Sequence, residues 1–134
     1  MSQINAYLVF SGNCREAMTF YKDSLGGELT LVMIGESPMA QQWPAAMQQQ
    51  VLHASLAQNG FTLLGSDAAG AGGVLKGNTV QLNLTCDTPE QAREYISKLG
   101  AGGSITRELH EFFDGWIGAL TDKFGFDWMF YASK

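Results

Sequence analysis

Ile4-Asn5-Ala6-Tyr7-Leu8-Val9-Phe10 runs directly into Ser11-Gly12-Asn13-Cys14-Arg15-Glu16-Ala17, and the reading of this stretch decides the fold. Ile4, Leu8 and Phe10 fall on one face and Asn5, Tyr7 and Val9 on the other, the alternation of a strand. Asn13 then stands three residues before Glu16, the spacing of a capping box that opens a helix. Ala17, Phe20, Tyr21 and Leu25 follow at helical spacing, and Gly26 supplies a left-handed stop. Further strands are expected over Glu28 to Ile34, Val51 to Ala57 and Phe61 to Gly65. Between them, 35–50 holds Pro38, Pro44 and many glutamines and reads as an excursion with one helical turn.

The same order recurs after a glycine-rich stretch. Val80, Leu82 and Leu84 alternate in a strand over Thr79 to Thr85. Thr88 can cap a helix that begins at Pro89, with Gln91 completing the box. Ala92, Tyr95, Ile96 and Leu99 give its apolar face, and Gly100 ends it. Short strands are expected at Ser104 to Thr106, Trp116 to Thr121 and Asp127 to Tyr131. Leu8 and Leu82, Glu16 and Glu90, Tyr21 and Tyr95, Leu25 and Leu99, and Gly26 and Gly100 match at one constant spacing. The expectation is an α+β chain of one domain made from two βαβββ modules: about 1–67, a glycine-rich linker about 68–77, and about 78–134. Two such modules can pair their sheets into a half-barrel with the helices outside and a concave small-molecule pocket inside.

Bulk properties narrow the function. Hydrophobic residues make up 46% of the 134 and charged residues 16%, enough apolar material for a core. The formal net charge of −5 repels phosphate backbones, which speaks against nucleic acid. No apolar run approaches the ~18 residues of a membrane helix, and the first ten residues carry no basic residue, so no membrane and no signal peptide are expected. Cys14 and Cys86 are too few for a disulfide scaffold and fit two reduced, buried thiols in the cytoplasm.

The opening, with Gly12-Asn13-Cys14 and Phe20-Tyr21, resembles that of PhnB-like proteins. Leu52-His53-Ala54-Ser55-Leu56 and Gly65-Ser66-Asp67 resemble the middle of that family. Phe112-Phe113-Asp114-Gly115-Trp116-Ile117-Gly118, Thr121-Asp122-Lys123-Phe124-Gly125 and Trp128-Met129 resemble its end. The resemblance thus covers nearly the whole chain. It points to the PhnB-like branch of the glyoxalase/bleomycin-resistance/dioxygenase (vicinal oxygen chelate) superfamily. It implies that superfamily's fold, a homodimer, and a ligand or metal in the cavity, but no single activity. The branch also carries a methyltransferase label, for which the sequence offers no glycine-rich turn at a helix start.

Superfamily metal ligands come from the first strand of each half and the last strand of a half. Carried over, these positions fall near Asn5 and Tyr7, near Thr79 and Gln81, and on Leu64 and Met129. A catalytic divalent metal wants imidazole or carboxylate, so no standard metal site and no cofactor are expected. A divalent metal held by His53, Glu108 or His110 is the open alternative. Candidate ligand-binding residues are Tyr7, His53, Gln81, Glu108, Trp116 and Trp128, with His53 also the candidate acid/base. Cys14, at a helix start, is a weaker nucleophile candidate. Phe112, Phe113, Trp116 and Trp128 are expected in core, dimer contact and cavity wall, and Trp43 as a cover over a ligand or partner chain. Glu108, His110, Glu111 and Asp114 are expected in a loop. The chain reads first as a metal-independent binder of a small organic molecule, cationic molecules suiting its charge. The alternatives are a metal-dependent lyase, isomerase or dioxygenase of the superfamily, and a dimeric interaction module.

Overall fold

A computed structural model describes residues 2–38, 40–68 and 73–133. Part of the expected linker, 69–72, lies outside the described residues. The chain divides into two compact units, Met1–Leu75 and Lys76–Lys134. Among the described residues no helix is long and apolar enough to cross a membrane.

The first unit runs β1 (Ala6–Val9), α1 (Cys14–Leu25), β2 (Glu28–Met33), β3 (Val51–Gln58) and β4 (Phe61–Ser66). Its sheet has the order β1-β4-β3-β2, with β1 parallel to β4 and the other pairs antiparallel. The second unit runs β5 (Leu82–Cys86), α2 (Pro89–Leu99), β6 (Ser104–Phe112), β7 (Gly115–Thr121) and β8 (Asp127–Ser133), in the order β5-β8-β7-β6. Its pairing senses are the same as in the first unit. Each unit is therefore a βαβββ module with one helix over a four-stranded mixed sheet.

Alternation along the strands explains how each helix is held. In the first unit Leu8, Phe10, Ala54, Leu56 and Leu63 are buried on the face that meets Ala17, Met18, Tyr21 and Leu25 of α1. Gly65 lies so close under the helix that a Cβ there would stand 3.1 Å from Met18 Sδ. In the second unit Leu120, Trp128, Phe130 and Ala132 are buried with Ala92, Ile96 and Leu99 of α2.

Caps and strand ends differ in part from expectation. Thr88 Oγ1 accepts the Gln91 N–H as the capping pattern predicts, but the Gln91 side chain accepts the N–H of Asp87, one residue before the cap, rather than that of Thr88. Asn13 makes no side-chain cap bond. Asp67, just past β4, takes that role: Oδ1 accepts the N–H groups of Gly12 and Cys14, and Oδ2 accepts that of Val51. At 3% exposure this carboxylate is held by three backbone donors. Strand β6 extends far beyond Thr106, so Glu108, His110 and Glu111 lie on an edge strand rather than in a loop, and Asp114 sits in the hairpin turn to β7. The excursion after β2 holds three short 3₁₀ turns, at Ile34–Glu36, Ala40–Gln42 and Ala45–Met47.

Candidate functional site

With α1 on one face of the first sheet, the other face carries the alternate residues of each strand. Thr30, Ser55, Leu64 and Tyr7 form one cross-strand row. Val32 pairs with His53 in the next row, which also carries Val9 opposite Ser66. Tyr7, Val9, Val32 and His53 are exposed, Tyr7 at 49%. Tyr7 reaches diagonally over β4, bringing its Oη to 3.2 Å from His53 Nδ1, with the ring centroids 5.8 Å apart. Residues 46 apart in sequence thus form one polar pair, because parallel pairing of β1 with β4 puts them on the same face.

This pair has useful hydrogen-bonding freedom. If the phenol donates to Nδ1, Nε2 carries the imidazole proton and presents a donor. If Nδ1–H donates to the phenol oxygen, the hydroxyl hydrogen is turned outward and Nε2 is an acceptor. Either arrangement leaves a donor for a ligand, beside the apolar surfaces of Val9, Val32 and Leu64.

In the second unit, Gln81 and Trp128 border one pocket of about 240 Å³ together with Asn78, Thr106, Thr121 and Asp127. The Trp128 ring is buried at 4% exposure on the α2 side of the sheet, where its indole N–H donates to Asp122 Oδ2 across 2.9 Å. Asp122 Oδ1 also accepts the N–H groups of Phe124 and Phe126, fixing the β7–β8 turn. Trp116 is not brought to the pocket. It lies on the α2 side of the sheet, 5.4 Å beneath the Arg93 guanidinium. Glu108 is exposed on β6, where its carbonyl lies 3.0 Å from His110 Nδ1. Phe112 and Phe113 stand exposed at the hairpin tip, and Trp43 is half-buried among the 3₁₀ turns.

Both cysteines are free and buried. Burial, with the Asp67 carboxylate nearby, pushes the Cys14 thiol up to about 12. A helix start favours a thiolate by about 1 kcal/mol at most exposed sites. Removal from water outweighs that here, so Cys14 is no ready nucleophile.

The sequence reading missed Asn78, Thr106, Thr121 and Asp127. Counting outward from the turn at Gly125 would have set Thr121 opposite Asp127, on the face away from Trp128. It also missed that Ser55 and Leu64 sit in the same row as Tyr7.

Residues 2–131 match the family described as 3-demethylubiquinone-9 3-methyltransferase. This chain belongs to that family. Protein YjdN of Escherichia coli strain K12 is 32% identical to it, over 98% of this chain and 95% of its own. The solved structure of PA1353 from Pseudomonas aeruginosa is similar at 34% identity and a TM-score of 0.85, covering 99% of this chain and 98% of its own. The PhnB protein of Bacillus cereus is similar at 27% identity and a TM-score of 0.76, covering 98% and 100%. Solved proteins of the glyoxalase/bleomycin-resistance/dioxygenase class share the fold at lower identity. The family member described here is thus PhnB-like, with the fold that the duplicated sequence predicts.

The groups that the family and superfamily names imply can be tested against the side chains. A nucleotide-like methyl donor bound in the usual way needs free amides at a glycine-rich strand-to-helix turn. Here Asp67 takes the amides before α1, and Thr88, Gln91 and Pro89 occupy the start of α2. These turns do not fit such a cofactor. Of the matched metal positions, Tyr7 stands beside Leu64, while Met129 stands beside Asn83 and not beside Thr79 or Gln81. Among the described residues no three His, Cys, Asp or Glu side chains gather around a point where an ion could sit. That donor set does not fit a catalytic divalent metal.

Proposed function

We propose that this family member binds a small, largely apolar organic molecule bearing a carbonyl or similar acceptor, on the uncovered face of its first sheet. The contact between Tyr7 Oη and His53 Nδ1 carries this reading, since it presents a fixed polar pair beside the side chains of Val9, Val32 and Leu64. The ligand's acceptor would take the donor that the pair leaves over, and its hydrocarbon body would cover Val9, Val32 and Leu64. A few placed polar groups in an apolar surround are the usual make-up of a small-molecule site. Binding without a metal is supported by the neutral, soft donor set at the matched positions. We also propose that the chain works as a homodimer in the cytoplasm, where two free thiols stay reduced.

The test is an NMR titration of the full chain with a panel of small aromatic ketones and aldehydes. Saturable shifts centred on Tyr7, Val32, His53 and Leu64 are expected, weakened about tenfold by Tyr7→Phe or His53→Ala. Saturable binding that neither substitution changes would remove the site. Tight stoichiometric uptake of one Mn, Fe, Ni or Zn ion per chain, followed by calorimetry, would overturn the metal-independent reading. Light scattering giving a monomer would remove the homodimer.

One observation favours catalysis as a second reading. A hydrogen-bonded phenol and imidazole can move a proton to or from a bound substrate. In that case His53→Ala abolishes turnover of a bound carbonyl compound, while the conservative His53→Gln retains binding without turnover.

A further inference from the structure

We infer that the second unit carries a separate subsite for a compact, hydroxylated primary amine, with Asp127 as its counter-ion. It lies apart in chemistry from the Tyr7–His53 face and does not rest on that reading. The pocket of about 240 Å³ is lined by two carboxamides (Asn78, Gln81), two hydroxyls (Thr106, Thr121) and one carboxylate, Asp127. Drug-sized sites begin near about 300 Å³ and are mostly apolar. This one is smaller and polar, which suits a metabolite the size of an amino sugar.

Charge selects further. Among the described residues no Lys, Arg or His lines the pocket, so an anionic ligand would place its charge beside Asp127 without compensation. Thr121 Oγ1 donates to Asp127 Oδ1 across 2.6 Å, which fixes the carboxylate. Among the described residues Oδ2 has no such partner and is left to accept from a ligand. An ammonium group supplies three donors and no acceptor, the complement of a carboxylate. Carboxamides and hydroxyls both donate and accept, the complement of ligand hydroxyls. Pairing of β7 with β8 places Thr121 opposite Asp127, so the acceptor is set by the sheet and not by a loop.

The experiment titrates the ¹⁵N-labelled full chain with glucosamine, using N-acetylglucosamine and sorbitol as uncharged controls. Saturable shifts at Gln81, Thr106, Thr121 and Asp127 are expected with glucosamine. N-acetylglucosamine should bind about tenfold more weakly, the loss of one charge-assisted hydrogen bond. Asp127→Asn keeps the Thr121 bond and should weaken glucosamine by a similar factor. Gln81→Glu adds a second carboxylate and should tighten it. Tyr7→Phe should bind glucosamine as the unaltered chain does, which separates this subsite from the first-sheet site. Equal binding of charged and acetylated sugars, unchanged binding in Asp127→Asn, or no saturable shift with glucosamine would each overturn the inference.

Discussion

Asp67 shows how much one side chain can settle. Its two oxygens take three backbone donors from Gly12, Cys14 and Val51, so it fixes the start of α1 and the start of β3 at once. Removing it strands buried N–H groups at about 1–3 kcal/mol apiece, softened where water can enter. Asp67→Ala should therefore cost about 3 kcal/mol, read from the urea midpoint of the full chain. A change under about 0.5 kcal/mol would mean that those amides find other partners. The buried thiols act at the other end of the pH scale. Cys14 is pushed from 9.0 up to about 12, and Cys86 from 9.0 up to about 11 by burial and then by Asp87. An unfolded chain releases these protons near pH 9 while the folded one holds them. Stability is thus unaffected below pH 9 and falls as pH rises from about 9 towards 11–12. Cys14→Ala with Cys86→Ala should flatten that decline in thermal melts between pH 8 and 11. An unchanged slope would exclude the thiols as its source.

At the scale of elements, close approach of helix to sheet is solved twice in mirrored ways. Gly65 pairs with Ala54 under Met18 in the first unit, whereas Gly118 pairs with Phe130 under Ile96 in the second. A Cβ on Gly118 would stand 2.8 Å from Ile96 Cδ1, the movable end of a side chain. Gly118→Ala should then cost about 1–2 kcal/mol by overpacking. With Ile96→Ala also present, the two changes should offset each other in a double-mutant cycle, and strict additivity would rule out the contact as the cause. The Thr88 cap was legible because its partners lie within four residues. The α1 cap was not, because Asp67 is over fifty residues from the amides it holds and no local spacing reveals it. Strand β6 was read too short because it lies at a sheet edge and is exposed along its length, so it carries no buried alternation. Counting also misaligned the repeat's first strand. Leu8 matches Leu82 by spacing, yet Leu8 pairs with Gly65 and the matching place beside Phe130 belongs to Leu84. The connection from strand to helix is shorter in the second unit, and constant spacing cannot see that.

At the scale of the whole molecule, duplication was the legible feature, because it is written in the order of caps, stops and alternations. The candidate sites were only half legible. His53 and Tyr7 could be singled out as chemically able, but only strand pairing brings them together. Gln81 stands out by its matched place and Trp128 as an aromatic of the cavity wall, while their neighbours Thr121 and Asp127 depend on a turn. Each unit has a helix-covered core and an opposite face that stays largely without apolar cover of its own. Fragments of this size bury little surface per residue and are marginal alone. Met1–Leu75 and Lys76–Lys134 expressed separately should unfold without a sharp transition in circular dichroism at 25 °C. A cooperative transition in either would show that one module suffices.

The clasp of Asp67 on the first helix also fixes an order in time. Its carboxylate stands just past the fourth strand, so those amides stay unclaimed until that strand has docked. The opening turn of α1 should then be completed after the folding barrier has been crossed. Asp67→Ala should accelerate unfolding and leave the refolding rate nearly unchanged, a φ-value near zero in stopped-flow chevrons. A φ-value near one would place the clasp in the folding nucleus instead. If the clasp closes late, it acts as a latch on the finished module: it governs how long the module stays closed and not how fast it forms.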